Sequence, residues 1–283
     1  MLQMFNLIKM DIHRLFYSKS TWVIFFFVAV LSVFSVTMTN TDIHMMKEEP
    51  SATEETMDER QIGISVEADS EWVDGDIEIG SIISVEMRSA LLAILCVIFT
   101  ALFINAEQKN GYIKNIAGQF PRREKLVASK FIAIAFQIFL MMLVFIIGII
   151  VSGFVLWGNR FYLGSSAPIL RYLGSQYLLH LGFAALTMLL CMLTRSSAFS
   201  MTSGILLCSG LAVPVYAVVN KIVSDMKPGL KFDINHYVLD GNITMMTLGS
   251  ASDVLVRGAV VGAAFAIVSV ILSMIMIKKR DVR

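Results

Sequence analysis

Six stretches of this chain are long and apolar enough to need lipid rather than water as their solvent. They run approximately over Thr21–Met38, Leu91–Ile104 with the preceding turn from Ile82, Phe131–Leu156, Leu173–Leu193, Ala198–Val219 and Gly258–Ile277. A helix rises 1.5 Å per residue, so about 20 apolar residues cross a hydrocarbon layer about 30 Å thick. Nothing inside that layer can replace a lost backbone hydrogen bond, and an open strand would leave N–H and C=O groups unpaired at a cost of several kcal/mol each. The spans must therefore be helices. The expected fold is an all-α integral membrane protein with six transmembrane helices, forming one membrane domain over residues 1–283. Composition agrees, with 56% hydrophobic and 16% charged residues and a mean hydropathy of +0.72.

Charge asymmetry orients the bundle. With the N-terminus inside, the inner segments hold 14 of the 23 basic residues, whereas Asn40–Ser81 carries 13 acidic residues against only Lys47 and Arg60. Basic residues stay on the cytoplasmic side, so both termini are expected in the cytoplasm and residues 40–81 form an acidic outer loop. Lys221, Lys227 and Lys231 in the last outer loop weaken this count without reversing it. A net charge of +1 with scattered bases offers no concentrated face for phosphates, which argues against nucleic acid as a partner. Cys96, Cys191 and Cys208 lie in apolar runs without metal-ligand spacing and read as small buried hydrophobes. The first apolar run lacks a small-residue cleavage site and reads as a retained span.

Several segments carry more specific expectations. In residues 1–19, Phe5, Ile8, Ile12, Leu15 and Phe16 recur at helical spacing, opposite Asn6, Lys9, His13 and Tyr17. This pattern predicts an interface helix with its apolar face in membrane lipid. Within the acidic loop, Ile62, Ile64 and Val66 alternate, as do Ile77 and Ile79 around Val73–Asp76; a hairpin and a solvated loop are both compatible with it. Residues 105–130 join the second and third spans, with a short helix from Ala106 to about Ala117 that projects Lys109, Tyr112 and Lys114 before Gly118 and Pro121 break it. Such a segment suits either a docking knob for a soluble partner or a loop whose charges only set topology.

Residues 220–257 form the last outer segment, with Pro214 kinking or ending the helix before it. His180 is a titratable side chain well inside a span; it is a candidate for the transport path, and equally a neutral imidazole bonded to a neighbouring helix. Gly258, Gly262 and Ala266, and likewise Ser200 and Gly204, are spaced for close helix contact. The 18 methionines suit adaptable packing and also a path for varied apolar cargo.

The inner segment, the interface helix and the six spans together resemble the permease subunits of type-2 ABC exporters. In that family the loop between the second and third spans runs acid, Gly, base, Pro-x-Arg, then Lys at the next span. Glu107, Gly111, Lys114, Pro121, Arg123 and Lys130 follow this order. The resemblance implies a coupling helix seated in a groove of a separate ATPase subunit, with Glu107, Lys109, Gly111, Tyr112, Lys114 and Arg123 at the contact. It also implies two ATPase copies holding ATP and magnesium, and a second permease copy or a paralogue in a bacterial cytoplasmic membrane. The last outer segment would dip back into the outer leaflet. The long acidic loop departs from better-known members. Smaller ones, including those of peptide-antibiotic self-protection systems, match this chain in size and point to peptides or other amphipathic compounds as cargo.

Other classes fit less well. The chain has no G-x-x-x-x-G-K-[ST] phosphate loop, so ATP would be held by a partner, and this chain is expected to be non-catalytic. For an intramembrane enzyme, Glu54 and Glu55 with Arg60 lie in the acidic loop, and no metal or acid–base site is visible. An ion-coupled carrier would place carboxylates in mid-membrane, where none is expected in these spans, and would show broken helices in corresponding halves.

Overall fold

Each apolar run closes its backbone hydrogen bonds within itself. The structure, a computed structural model, describes residues 2–48, 69–109, 124–227 and 232–279. Its helices are α1 (Leu2–Tyr17), α2 (Lys19–Glu48), α3 (Ile79–Arg88), α4 (Leu91–Lys109), α5 (Glu124–Trp157), α6 (Ser166–Thr194), α7 (Ser197–Cys208), α8 (Val213–Met226), α9 (Leu239–Met245) and α10 (Ser252–Lys279). Single 3-10 turns occur at Ser70–Trp72, Gly158–Arg160 and Ile234–His236. Four helices, namely α2, α5 with its 3-10 extension, α6 and α10, are long and apolar enough to cross a membrane, and the count reaches six if each of two bent pairs is one span. The protein is a multi-pass, all-α membrane protein.

The interior is apolar as in a water-soluble bundle, but the outer surface is apolar as well. Along α2 the buried stripe is Thr21, Ile24, Val28, Ser32, Ser35, Val36, Thr39 and Ile43, so hydroxyls face inward. Trp22, Phe26, Phe27, Val30 and Phe34 face outward. Apolar residues on α5 and α10 are exposed in the same way, at Ile147, Val151, Phe154 and Val155 and at Val256, Val260 and Ile267. Contiguous apolar surface of this extent would draw a soluble monomer into aggregates, and lipid covers it at no cost.

Small residues set the closest approaches. A Cβ on Gly262 would lie 2.5 Å from the carbonyl carbon and oxygen of Leu178, so α10 rests on the backbone of α6. Gly204 of α7 would meet Val97 at 2.5 Å, and Gly148 of α5 meets Ser32 of α2. The close contacts expected at Gly262 and Gly204 are thus present.

Two helix pairs are bent in ways the apolar runs do not announce. α3 and α4 meet at 54° across Ser89 and Ala90, and Ala90 adopts a left-handed φ of 60°. A side chain there carries strain that glycine would not. α7 and α8 meet at 63° across a turn containing Gly210 at φ 72°, and Pro214 stands in the first turn of α8 rather than at the end of a continuous span. Proline fits that position because its missing N–H has no helical acceptor there.

The chain turns before Ile77 as expected, and among the described residues no hairpin is formed there. Instead β1 (Ile77–Glu78) pairs in parallel with β2 (Phe161–Tyr162), Ile77 opposite Phe161, and Ile79 already begins α3. Arg160 donates to the carbonyls of Trp72 (2.8 Å), Val73 (3.3 Å) and Gly75 (3.1 Å), fastening the turn to the end of α5. Ile62, Ile64 and Val66 lie outside the described residues.

Candidate functional site

The N-terminal helix presents three faces. Leu7, Asp11 and Leu15, one turn apart, are buried; α1 packs chiefly on α5, and Asp11 accepts a hydrogen bond from Ser129 of that helix. Arg14 lies 4.8 Å over the ring of Phe103 on α4, within cation–π range. Phe5 and Phe16 are exposed, Ile8 and Ile12 half-buried, while Asn6, Lys9, His13 and Tyr17 are exposed on another side. Leu15 therefore belongs to the protein-facing stripe rather than to the outer apolar face. Lys130, near the start of α5, is also buried.

The inner segment is described only at its margins. Glu107 and Lys109 lie on the helical end of α4, of which the backbone alone is described; Gly111, Tyr112, Lys114, Pro121 and Arg123 lie outside the described residues. Helix continues through Ala106 as expected.

Within the bundle the structure assembles polar groups that the run lengths concealed. Glu86, on α3, is fully buried. Its carboxyl accepts hydrogen bonds from Ser35 and from Thr39 (2.8 Å), both on α2. This corrects the expectation that the spans hold no carboxylate: Glu86 falls in the turn preceding the second apolar run, and α3 is folded into the bundle rather than left at its rim. Ionised carboxylates without a counter-charge are costly in such surroundings, whereas each neutral hydrogen bond returns only about 0.5–1.5 kcal/mol.

A second polar chain runs alongside. Ser84 of α3 accepts from the amide of Leu248 (3.0 Å), and its carbonyl accepts from the Tyr172 hydroxyl (3.2 Å). Gln176 donates to that hydroxyl (2.9 Å) and to the Ile243 carbonyl (3.4 Å). His180, one turn further along α6, is fully buried with Nδ1 2.7 Å from the Gln176 carbonyl. Its Nε2 and both polar atoms of the Gln137 side chain meet no hydrogen-bond partner. The neutral reading is thereby corrected: the imidazole bonds to a carbonyl of its own helix, not to a neighbouring helix, because the i−4 carbonyl of Gln176 lies within reach.

Within residues 232–257, α9 packs against the same stretch of α6. Asn242 donates to the carbonyls of Val238 (2.8 Å), His236 (3.0 Å) and Asn235 (3.3 Å), and Tyr216 donates to Asp240 (3.0 Å). Most of α9 is buried, as is Met246, while Met245 and Leu248 are half-buried. Gly241 permits this fold-back, because a Cβ there would lie 2.4 Å from the Asn235 carbonyl oxygen. Outside it, Asp233 accepts from Asn220 (2.8 Å) and from the side chain and backbone of Asn235 (2.7 and 3.1 Å). Partial burial opposes its charge, but these bonds and nearby His236 outweigh it and hold its carboxyl below the ordinary value.

Comparison with known proteins adds a family without a mechanism. The model of a protein family of unknown function, DUF2705, matches residues 75–283, from the end of the acidic segment through all the later helices. No curated protein matches the chain.

Proposed function

We propose that this chain, which belongs to the DUF2705 family of proteins of unknown function, is the membrane-spanning subunit of an ATP-driven exporter that draws its energy from a separate ATPase. The observation that carries this reading is the ordered set Glu107, Gly111, Lys114, Pro121, Arg123 and Lys130 in the segment joining the second and third apolar runs. A helix exposed at the cytoplasmic surface between two spans can pass motion from a soluble partner into the bundle. The absence of a phosphate-loop sequence agrees with a partner that holds ATP and magnesium.

In this reading α1 lies in the cytoplasmic interface, with Phe5, Ile8, Ile12 and Phe16 toward lipid. Six spans count each bent pair once, α9 with its flanks forms a re-entrant outer piece, and both termini are cytoplasmic. Two copies, or this chain and a relative, enclose the path for peptides or other amphipathic cargo, and two ATPases dock beneath.

The test reverses the charge and removes the anchor of the docking segment. Tyr112→Ala with Lys114→Glu weakens binding of the co-expressed ATPase, or uncouples its hydrolysis from export, while expression and insertion stay at parental levels. Charge-assisted contacts of this kind are worth about 1.5–3 kcal/mol when desolvated, roughly ten- to a hundredfold in affinity. Glu54→Gln in the acidic segment is the control and leaves binding unchanged. Parental binding and export by the double variant would reduce the segment to a topology determinant.

A second reading, a carrier driven by an ion gradient, is favoured by one observation, the buried Glu86. Collapse of the proton gradient at constant ATP separates the two, since only the carrier stops.

A further inference from the structure

We propose that Glu86, Ser35 and Thr39 form a proton-binding site whose occupancy holds α3 against α2 beside a built hinge. The site stands on geometry and on no assumption about the energy source. Its carboxyl is wholly removed from solvent, and two hydroxyls from a different helix close over its two oxygens. Among the described residues no basic side chain bonds to the carboxyl. Arg88, on the same helix, donates to the Thr244 carbonyl; Tyr172 of α6 donates to Ser84; Asp240 of α9 accepts from Tyr216. On α2, Asp42 and His44 lie beyond Thr39, toward the end of the helix, and Lys47 pairs with Asp74. On α4 the buried Cys96 is a further titratable group, on α5 the ionisable side chains Glu124, Lys125 and Lys130 lie in its first two turns, and Glu78 of β1 is half-buried beside Gly164.

The proton can be accommodated with every hydrogen bond intact. With it in place, the carboxyl O–H donates to the Thr39 hydroxyl, whose own hydrogen turns to the Ser35 carbonyl 3.3 Å away, and Ser35 continues to donate to the other carboxyl oxygen. Without it, both hydroxyls donate to a carboxylate that has no counter-charge. A metal ion is a poor alternative: hard divalent cations take six or more oxygens, and three side chains with helix-bonded backbones do not supply them. Among the described residues no group of metal-binding side chains occurs.

The hinge lies close by. Ser89 caps α3 by donating to the Glu86 carbonyl (2.6 Å), and the next residue is Ala90, held at a left-handed φ before the 54° bend into α4. Loss of the proton leaves a charge that only water can stabilise, and rotation of α3 about Ser89 and Ala90 is the motion that admits it.

The experiment uses the full chain in lipid nanodiscs. Infrared spectra at neutral pH of the parent minus Glu86→Gln contain one carbonyl band of a protonated carboxylic acid, which moves to lower frequency in heavy water. The same band moves to higher frequency in Ser35→Ala/Thr39→Ala, where Glu86 itself is intact; this arm stands even if Glu86→Gln fails to fold. Spin labels at Thr37→Cys and Ser81→Cys report the separation of α2 and α3. That separation lengthens in the parent as alkali removes the band, and stays short at every pH in Glu86→Gln. The proposal is overturned by a carboxylate pair in place of the band at neutral pH, by a band indifferent to Ser35 and Thr39, or by a label distance that does not follow the band.

Discussion

At the scale of single residues, fixed geometry matters more than charge. Arg160 fastens the 72–75 turn to the end of α5 through a planar fork that reaches three carbonyls at once. Lysine keeps the charge and loses the fork. Arg160→Lys is expected to cost about 1.5 kcal/mol, the low end for charge-assisted bonds at a half-exposed site, and to speed proteolysis near Asp74 while the spans stay folded. Asp233 offers a test by pH. Its carboxyl is held below the ordinary 3.8 by hydrogen bonds to its charged form, so the contribution is present above that value and lost as pH falls through the lower folded one. Hydrogen exchange at the Ile234 and Asn235 amides should accelerate in that acid range. Asp233→Asn should remove the pH dependence without removing the exchange itself.

Among elements, the α6–α10 contact makes the sharpest prediction. Gly262→Ala places a methyl group against the Leu178 backbone, which cannot yield as a side chain would, so the two helices must part. The expected loss is about 1–3 kcal/mol, the usual range for overpacking, with a lower melting temperature in detergent. Gly174 lies in α6 with nothing within 4 Å of its ideal Cβ, so Gly174→Ala is expected to gain about 0.5–1 kcal/mol from helix propensity.

The same contrast shows what could be read in advance. Gly258, Gly262 and Ala266 betray a close approach because their spacing is helical and only small residues allow it. Run length likewise locates every long helix, since hydrocarbon thickness fixes how many apolar residues are needed. The breaks are different. Pro214 and Gly210 hint at the second bend, but Ala90 is an ordinary helix former whose left-handed backbone is imposed by tertiary packing, and no local pattern encodes it. The β1–β2 pair is equally invisible, because two residues paired with a segment more than eighty positions away carry no periodicity.

Over the whole molecule, the exporter reading rests on a segment most of which lies outside the described residues, whereas Glu86, missed in the sequence, is fully buried and bonded to α2. A lone glutamate ahead of an apolar run looks like a rim residue until α3 is seen folded against Ser35 and Thr39. Orientation is the assumption on which the docking argument depends most. The basic residues near the apolar runs and the acidic 40–81 segment place opposite charge on opposite sides. A cysteine at Ser51 should therefore react with an impermeant thiol reagent added outside intact cells, and one at Asn115 only after the cells are opened. The native cysteines are buried and should stay silent. The reverse labelling pattern would put residues 105–130 outside, beyond reach of any cytoplasmic ATPase. Stoichiometry belongs to the same reading: an exporter needs a two-sided path of which one bundle would supply half, so two permease chains should accompany two ATPases. Native mass measurement of the detergent complex decides it, and an active complex containing a single permease chain would remove the dimer from the reading.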